Sequence, residues 1–231
     1  MQTTHDTVFL FDVDNTLVDN DEVVRHLRAF LTDAVGEERQ QHYFALFEQI
    51  RAEVGYADYL EALQRFRLAY PREPKLLAVS TYLVNYPFAE RLYPDALAVI
   101  AHVQRWGPAV VLSDGDVVFQ PRKVERSGIG RAVNGDVLIY VHKERMLDDV
   151  AERYPARHYV MFDDKLRLLT AIKRVWGDRV TTVFVRQGHY ALDAAGIAAY
   201  PPADVALERI GDLLALHPPD LVIAATPRPA P

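Results

Sequence analysis

The sequence predicts an α/β fold: a Rossmann-like, mainly parallel sheet core with an α-helical cap domain inserted after the first strand. Three observations carry this. Short apolar runs alternate with helical patterns along the C-terminal part of the chain, as in a parallel sheet built from strand–helix–strand units. The first and second strand patterns are separated by a helical stretch too long for a single crossover. The 231 residues suffice for one large domain or one domain with a sizeable insertion.

The elements follow in order. Val8–Asp12 is a short apolar run ending in an acid and reads as a buried strand with Asp12 at its C-terminal end. Apolar residues then recur at helical spacing as Leu27, Phe30, Leu31, Ala34 and Val35, again as Tyr43, Phe44, Leu46, Phe47 and Ile50, and again as Tyr59, Leu60, Leu63 and Phe66. Pro71 and Pro74 interrupt before Leu76–Tyr82 resumes. The aromatic and arginine residues of this region (Tyr56, Tyr59, Arg65, Arg67, Tyr70) could line a substrate cleft but read first as helix–helix packing. Pro94-Asp95 opens a helix, Ala96–Trp106, which Gly107-Pro108 closes.

Ala109–Leu112 is a second apolar strand, ending at Ser113. Val117–Arg126 reads as a helix, Val137–Val141 as a short β stretch and Met146–Arg153 as another helix. Tyr159–Phe162 is a third buried strand running into Asp163-Asp164. Leu166, Leu169, Ile172 and Val175 mark a helix with Gly177 past its end. Val180–Val185 is a fourth strand, and Val205–Leu216 a closing helix with room for a short strand before it. The expected organisation is a core of residues 1–18 and 89–217, a helical cap of 19–88, and a flexible proline-rich tail of 218–231.

Composition narrows the function. The chain has no cysteine, which excludes disulfides, thiolate metal sites and a cysteine nucleophile. The net charge is −6 and no dense Lys/Arg block appears, so nucleic acid is not an expected partner. The apolar run near the N-terminus is too short for a signal peptide or a membrane span, and no membrane association is expected. A cytoplasmic location is the expectation.

The chemistry gathers at the strand ends. In an open parallel sheet, ligands bind outside the carboxyl ends of the strands, where Asp12, Ser113 and Asp163-Asp164 all fall. Asp12 and Asp14 flank Val13, so alternation turns them the same way. Several carboxylates in one pocket repel unless a cation sits among them. Oxygen donors of this kind suit Mg²⁺, which completes its shell with water and substrate phosphate. Lys143 supplies a fixed positive charge.

These motifs resemble those of the haloacid dehalogenase-like superfamily. FDVDNTLVDN is similar to its first motif in the DxDxT form typical of the phosphatases, with Asp12, Asp14 and Thr16 matching. VVLSDGD resembles the second motif, with Ser113 after the apolar strand. Lys143 resembles the lone lysine of the third, and YVMFDDK the acidic fourth, 20 residues beyond that lysine.

The resemblance implies a Mg²⁺-dependent hydrolase that cleaves a small phosphorylated metabolite through an aspartyl-phosphate. Asp12 would be the nucleophile and Asp14 the acid and base, its backbone carbonyl also binding the metal. Ser113, Asp114, Gly115 and Lys143 would hold the phosphoryl group. Asp12, Asp14, Asp163 and Asp164 would form the metal site, although Asp164 reads equally as a helix cap. Thr16 would brace the loop. Lys123, in QPRKVERSG, reads as an exposed helix lysine, Lys165 as a first-turn helix residue, and His142 and His189 as ordinary surface or core histidines, although Arg186, Gln187 and His189 follow a strand and could make a rim contact. Two features depart from the family pattern: the extra acids Asp114 and Asp116 beside the second motif, and Phe162 where many relatives have glycine. The alternatives are a phosphomutase or phosphotransferase with the same nucleophile, and a non-catalytic binding module on the same fold. A dehalogenase is disfavoured, because carbon–halogen cleavage needs neither a second aspartate acid nor a metal cluster.

Overall fold

Val8, Phe9, Leu10 and Phe11 are buried on both faces of the first strand, β1 (His5–Phe11), a pattern that only a central strand of a covered parallel sheet can satisfy. The computed structural model describes residues 4–222. Its sheet has six strands, all parallel, in the order β3-β2-β1-β4-β5-β6. The others are β2 (Ala109–Asp114), β3 (Val137–Tyr140), β4 (Ala156–Asp163), β5 (Val180–Val185) and β6 (Val205–Leu207). The strand order reverses direction at β1, and the register pairs Phe11 with Val111 on one side and Phe162 on the other. The strand ends carrying Asp12, Ser113 and Asp163 therefore meet at one edge of the sheet.

Alternation along the strands makes two cores. Phe9, Phe11, Val111, Val160, Phe162 and Val183 face one side, where they pack under α5 (Ala96–Val103) and α6 (Phe119–Arg126). Val8, Leu10, Val110, Leu112, Tyr159 and Met161 face the other, under α8 (Leu147–Arg153) and α9 (Leu166–Trp176). Phe162 stacks on Phe11 with ring centroids 4.5 Å apart and planes 4° from parallel. Its ring thus belongs to the core, which is why an aromatic residue can stand there without entering the site. Gly107 makes the turn into β2 so tight that a Cβ would lie 2.1 Å from the Thr7 carbonyl oxygen.

Between β1 and β2 lie four helices: α1 (Asn20–Val35), α2 (Glu37–Val54), α3 (Tyr59–Ala69) and α4 (Leu76–Asn85). Asp19 and Asp58 cap α1 and α3, accepting from the backbone N–H of Glu22 (2.9 Å) and Glu61 (2.8 Å). The chain leaves the sheet layer and returns through a pair of antiparallel linkers. Val18 bridges Leu92, Asp19 N–H donates to Arg91 O and Tyr93 N–H to Leu17 O. Tyr59 of the cap packs on Phe119 of α6, which in turn meets Phe88, so Tyr59 serves packing, while Tyr56 and Tyr59 also line a cleft.

Several elements differ from the sequence reading. The third strand begins at Ala156, because its N-terminal end pairs with His5 at the rim of the sheet. The helix expected over Ala96–Trp106 ends at Val103 in a turn. The closing helix is instead β6 followed by a 3-10 segment, Ile210–Ala215, whose buried Ile210 and Leu213 had given the helical spacing. The expected tail begins with an ordered 3-10 turn, Pro218–Leu221, anchored by buried Pro218 and Leu221. The rest of that tail, 223–231, lies outside the described residues.

Phe162→Ala should lower the unfolding free energy by about 3–5 kcal/mol, the usual cost of removing a buried phenyl ring. Urea denaturation checks this, and a cost under about 1 kcal/mol would place the ring outside the core.

Candidate active site

Asp12 follows β1 directly, and its N–H still donates to Phe162 O at 3.0 Å, so the sheet itself fixes its backbone. Its carboxylate is buried and asymmetric in its partners. Oδ1 accepts from Lys143 Nζ at 2.6 Å and lies 3.4 Å from Ser113 Oγ, whereas Oδ2 has no hydrogen-bond partner among the described residues. Lys143, in the loop after β3, is 1 % exposed; Nζ also reaches Asp163 Oδ2 at 2.7 Å and Leu112 O at 3.2 Å. Burial pulls the ammonium's pKa down, but the Asp12, Asp163 and Asp114 carboxylates outweigh it and raise it above the ordinary lysine value.

Asp12, Asp163 and Asp164 bring carboxylate oxygens within 4.8 Å of one another, all buried. Burial raises the pKa of both Asp163 and Asp164, with Lys143 opposing for the first and Lys165 for the second. Neither oxygen of Asp164 accepts a hydrogen bond among the described residues. The N–H of Lys165, at the start of α9, goes to Asp163 Oδ1 at 2.8 Å, so Asp164 is not the helix cap. Buried carboxylate oxygens without donors are costly. A hard divalent cation relieves that cost, and the donor set is all oxygen, so the residues fit such an ion.

Asp14 stands apart from these three. Its carboxylate accepts from Lys123 Nζ at 2.5 Å, and Lys123 also donates to Asn20 Oδ1 at 3.0 Å. Its side chain is therefore outside the acidic cluster, and any share in a metal site falls to its backbone carbonyl. The reading of Lys123 as an exposed helix lysine is overturned: it is fully buried on α6, between Phe88 and Phe119. The signal was available, because Phe119, Gln120, Lys123 and Val124 share one buried helix face. Gln120, on that face, also went unnoticed; its Nε2 donates to Ser113 Oγ at 2.9 Å.

Two expected phosphate contacts have other partners. The Gly115 N–H donates to Tyr140 O at 2.9 Å, extending the β2–β3 ladder, so it is not free for a ligand. Asp114 Oδ1 accepts from the Lys143 N–H at 2.7 Å, which turns the extra acid into a clamp on the Lys143 loop. Burial raises the Asp114 pKa, with Lys143 opposing. Asp116 is likewise occupied, accepting from the N–H groups of Val118 (2.8 Å) and Phe119 (2.6 Å) at the start of α6.

The loop after Asp14 is braced differently from the expectation. The Thr16 hydroxyl has no hydrogen-bond partner among the described residues. The bracing comes from Gln187, after β5, whose Nε2 donates to Thr16 O (3.0 Å) and Asn15 O (3.3 Å). Asn15 adopts a left-handed φ of 59°, which asparagine tolerates, and its Oδ1 accepts from the N–H groups of Asn20 (3.0 Å) and Asp21 (3.2 Å) at the start of α1. His189 is more than a bystander. It sits on α10 (Gly188–Leu192), and its Nδ1 and N–H reach Asp21 Oδ1 and Oδ2 at 2.6 and 2.7 Å, tying cap to core. Above the acidic end, a cleft of about 660 Å³ opens between cap and core, with Asp14, Asp114 and Lys165 at its floor.

Comparison with known proteins places this arrangement. No curated protein matches the sequence. A protein of Burkholderia xenovorans LB400 classed as a haloacid dehalogenase-like hydrolase is 59% identical, with a TM-score of 0.89 over 92% of this chain and 99% of that one. An L-2-haloacid dehalogenase of Xanthobacter autotrophicus, with chloropropionic acid covalently bound, is 18% identical (TM-score 0.58, 90% and 96% covered) and shares the fold. A hydrolase of the same family from Bacillus subtilis, bound to magnesium, is 15% identical (TM-score 0.58, 92% and 98% covered). The family model for haloacid dehalogenase-like hydrolases matches residues 7–175, so the chain belongs to that family of hydrolases.

Proposed function

We propose that the protein is a Mg²⁺-dependent phosphohydrolase that cleaves an organic phosphate monoester through an aspartyl-phosphate. The carrying observation is the asymmetry of Asp12: one oxygen is tethered to a buried lysine and the other is free beside two further buried acids.

Asp12 Oδ2 is the attacking atom. As its bond to phosphorus forms, the ester P–O bond breaks and Asp14 delivers a proton to the departing alkoxide. Asp14 then takes a proton from water as the water attacks phosphorus, and the acyl-phosphate bond breaks to release phosphate and restore Asp12. Lys143 balances the negative charge that builds on the transferring group while holding Asp12 Oδ1 in place. The Ser113 hydroxyl accepts from Gln120 and donates only at 3.4 Å, to Asp12 Oδ1 and the Asp114 carbonyl, so its hydrogen can turn to a phosphoryl oxygen. Asp163 and Asp164, with Asp12, would hold Mg²⁺, which when bound screens the phosphoryl oxygens from the nucleophile's charge. Lys123 and Asn20 orient Asp14 toward the cleft floor.

A second reading is haloacid dehalogenation, favoured by the likeness in fold to L-2-haloacid dehalogenases. Carbon–halogen displacement requires only the first aspartate. The buried pair Asp163–Asp164 and the Lys123–Asp14 contact support phosphoryl transfer instead.

Phosphate release from a panel of small esters, with Mg²⁺ or EDTA, decides between the readings. Release should require Mg²⁺ and fall by several orders of magnitude in Asp12→Asn; halide release from 2-chloropropionate with no phosphate release would reverse the assignment. Lys123→Met should slow alkyl phosphates far more than p-nitrophenyl phosphate, whose leaving group needs no acid. Equal slowing of both would detach Lys123 from the proton transfer. Mg²⁺ at about a hundredfold over its Kd should stabilise the fold by about 2.7 kcal/mol, a rise in Tm of roughly 5–10 °C for a chain of this length. Asp164→Asn should melt higher than wild type without metal and lose that rise, as differential scanning fluorimetry would read.

A further inference from the structure

The cleft is larger than a phosphoryl group requires, so most of its surface must meet the organic part of the substrate. Its lining includes four arginines and Lys165 alongside five acidic residues, so the cations that matter are those without a close carboxylate. Arg51, near the end of α2 in the cap, places its guanidinium 5.5 Å from the Tyr190 ring centroid. Lys165, from the core, places Nζ 5.1 Å from the same centroid. Two like charges from opposite walls thus converge on one aromatic ring. Each also has a carboxylate ion-pair partner, Glu48 at 3.6 Å from Arg51 and Asp164 at 3.9 Å from Lys165, but neither contact is short enough for a hydrogen bond, so their N–H donors are open to a closer anion.

Further up the cap wall, the Arg28 guanidinium lies 3.6 Å from the Phe44 ring centroid and forms no ion pair among the described residues. Stacking uses the face of a guanidinium and leaves its in-plane N–H groups free, the edge that takes a carboxylate or phosphate bidentately. Cations held against aromatic faces are preorganised at small entropic cost, and an anion between them removes their mutual repulsion.

We propose that the substrate carries a second anionic group besides the phosphate that is cleaved, and that Arg51, Lys165 and Arg28 bind it against Tyr190 and Phe44. This rests on the reading of the acidic site as one for phosphoryl transfer, and it names the class of ester that site receives. Because Arg51 and Arg28 belong to the cap and Lys165 to the core, the second anion also joins the two walls of the cleft. A substrate lacking it would bind without drawing them together.

The test uses a matched pair, phenyl phosphate and 4-carboxyphenyl phosphate, with phenylene 1,4-bisphosphate as the phosphate-bearing counterpart. Binding is measured calorimetrically on the full chain carrying Asp12→Asn with Mg²⁺, so that it does not depend on turnover; kcat/KM is measured on the wild type. The expected result is tighter binding of one or both doubly anionic esters by tenfold or more over phenyl phosphate. That preference should weaken as salt is raised and collapse toward one in Arg51→Met and Arg28→Met, with partial recovery in Arg51→Lys. The two doubly anionic probes tell a carboxylate from a second phosphate. Equal binding of all three, or a preference unchanged in both arginine variants, overturns the proposal. Preference in binding without phosphate release from any ester would instead count against the phosphohydrolase reading and leave the anion site standing.

Discussion

Carboxylates removed from water repel one another, and their burial is tolerable only if positive charge is supplied at the same depth. Lys143 supplies it within the protein: its ammonium bridges Asp12 and Asp163, and the Leu112 carbonyl takes a further N–H. The rest of the strand-end architecture serves this contact. Asp114 clamps the Lys143 backbone, the β2–β3 ladder continues through Gly115 to hold that clamp, and the Phe11–Phe162 stack sets the two aspartate-bearing strands side by side. Asp164 lies beyond the reach of Lys143 and accepts no hydrogen bond among the described residues, with Lys165 Nζ no nearer than 3.9 Å, so its burial is the least compensated in the cluster.

A second buried lysine does related work one layer outward. Lys123 holds Asp14 and Asn20 together, the former two residues after Asp12 and the latter at the first residue of the cap. Asn15, Asp21 and His189 form a parallel connection on the other side of the same loop. The loop that follows Asp12 is therefore shared between the two layers, and short polar contacts link α1 to Asp14.

Much of this was legible in the sequence because it depends on strand burial and on acids at strand ends. Asp12, Ser113 and Asp163 could be brought together from the pattern alone, since a parallel sheet aligns its carboxyl ends whatever the loops do, whereas the choice of Lys143 among the lysines rested on the family resemblance. The misread positions are those where a polar residue's role depends on packing across elements. Lys123 looks like a surface lysine until Phe119 and Val124 are seen on its own face. Gln187 has no local signature, since its partners Asn15 and Thr16 lie at the other end of the chain. Gly115 was assigned a ligand's role because its use by Tyr140 follows from sheet register, which no single strand encodes. The closing segment misled because Ile210 and Leu213 are three apart, a spacing that a 3-10 turn satisfies as well as an α-helix.

The strand order has a consequence for how the chain comes into being. β1 lies at the N-terminus, yet its neighbours in the sheet are β2 and β4, which begin at Ala109 and Ala156. During synthesis β1 emerges before the other strands and stays unpaired on both edges while the four cap helices, held by local contacts, can already form. The antiparallel linkers at Val18 and Leu92 then bring the two ends of that helical segment together, closing a loop of some seventy residues and delivering β2 to the waiting edge of β1. The insertion that shapes the cleft thus also governs when β1 gains its β2 neighbour, and a cap that folds poorly would leave that edge of the Asp12-bearing strand exposed to aggregation.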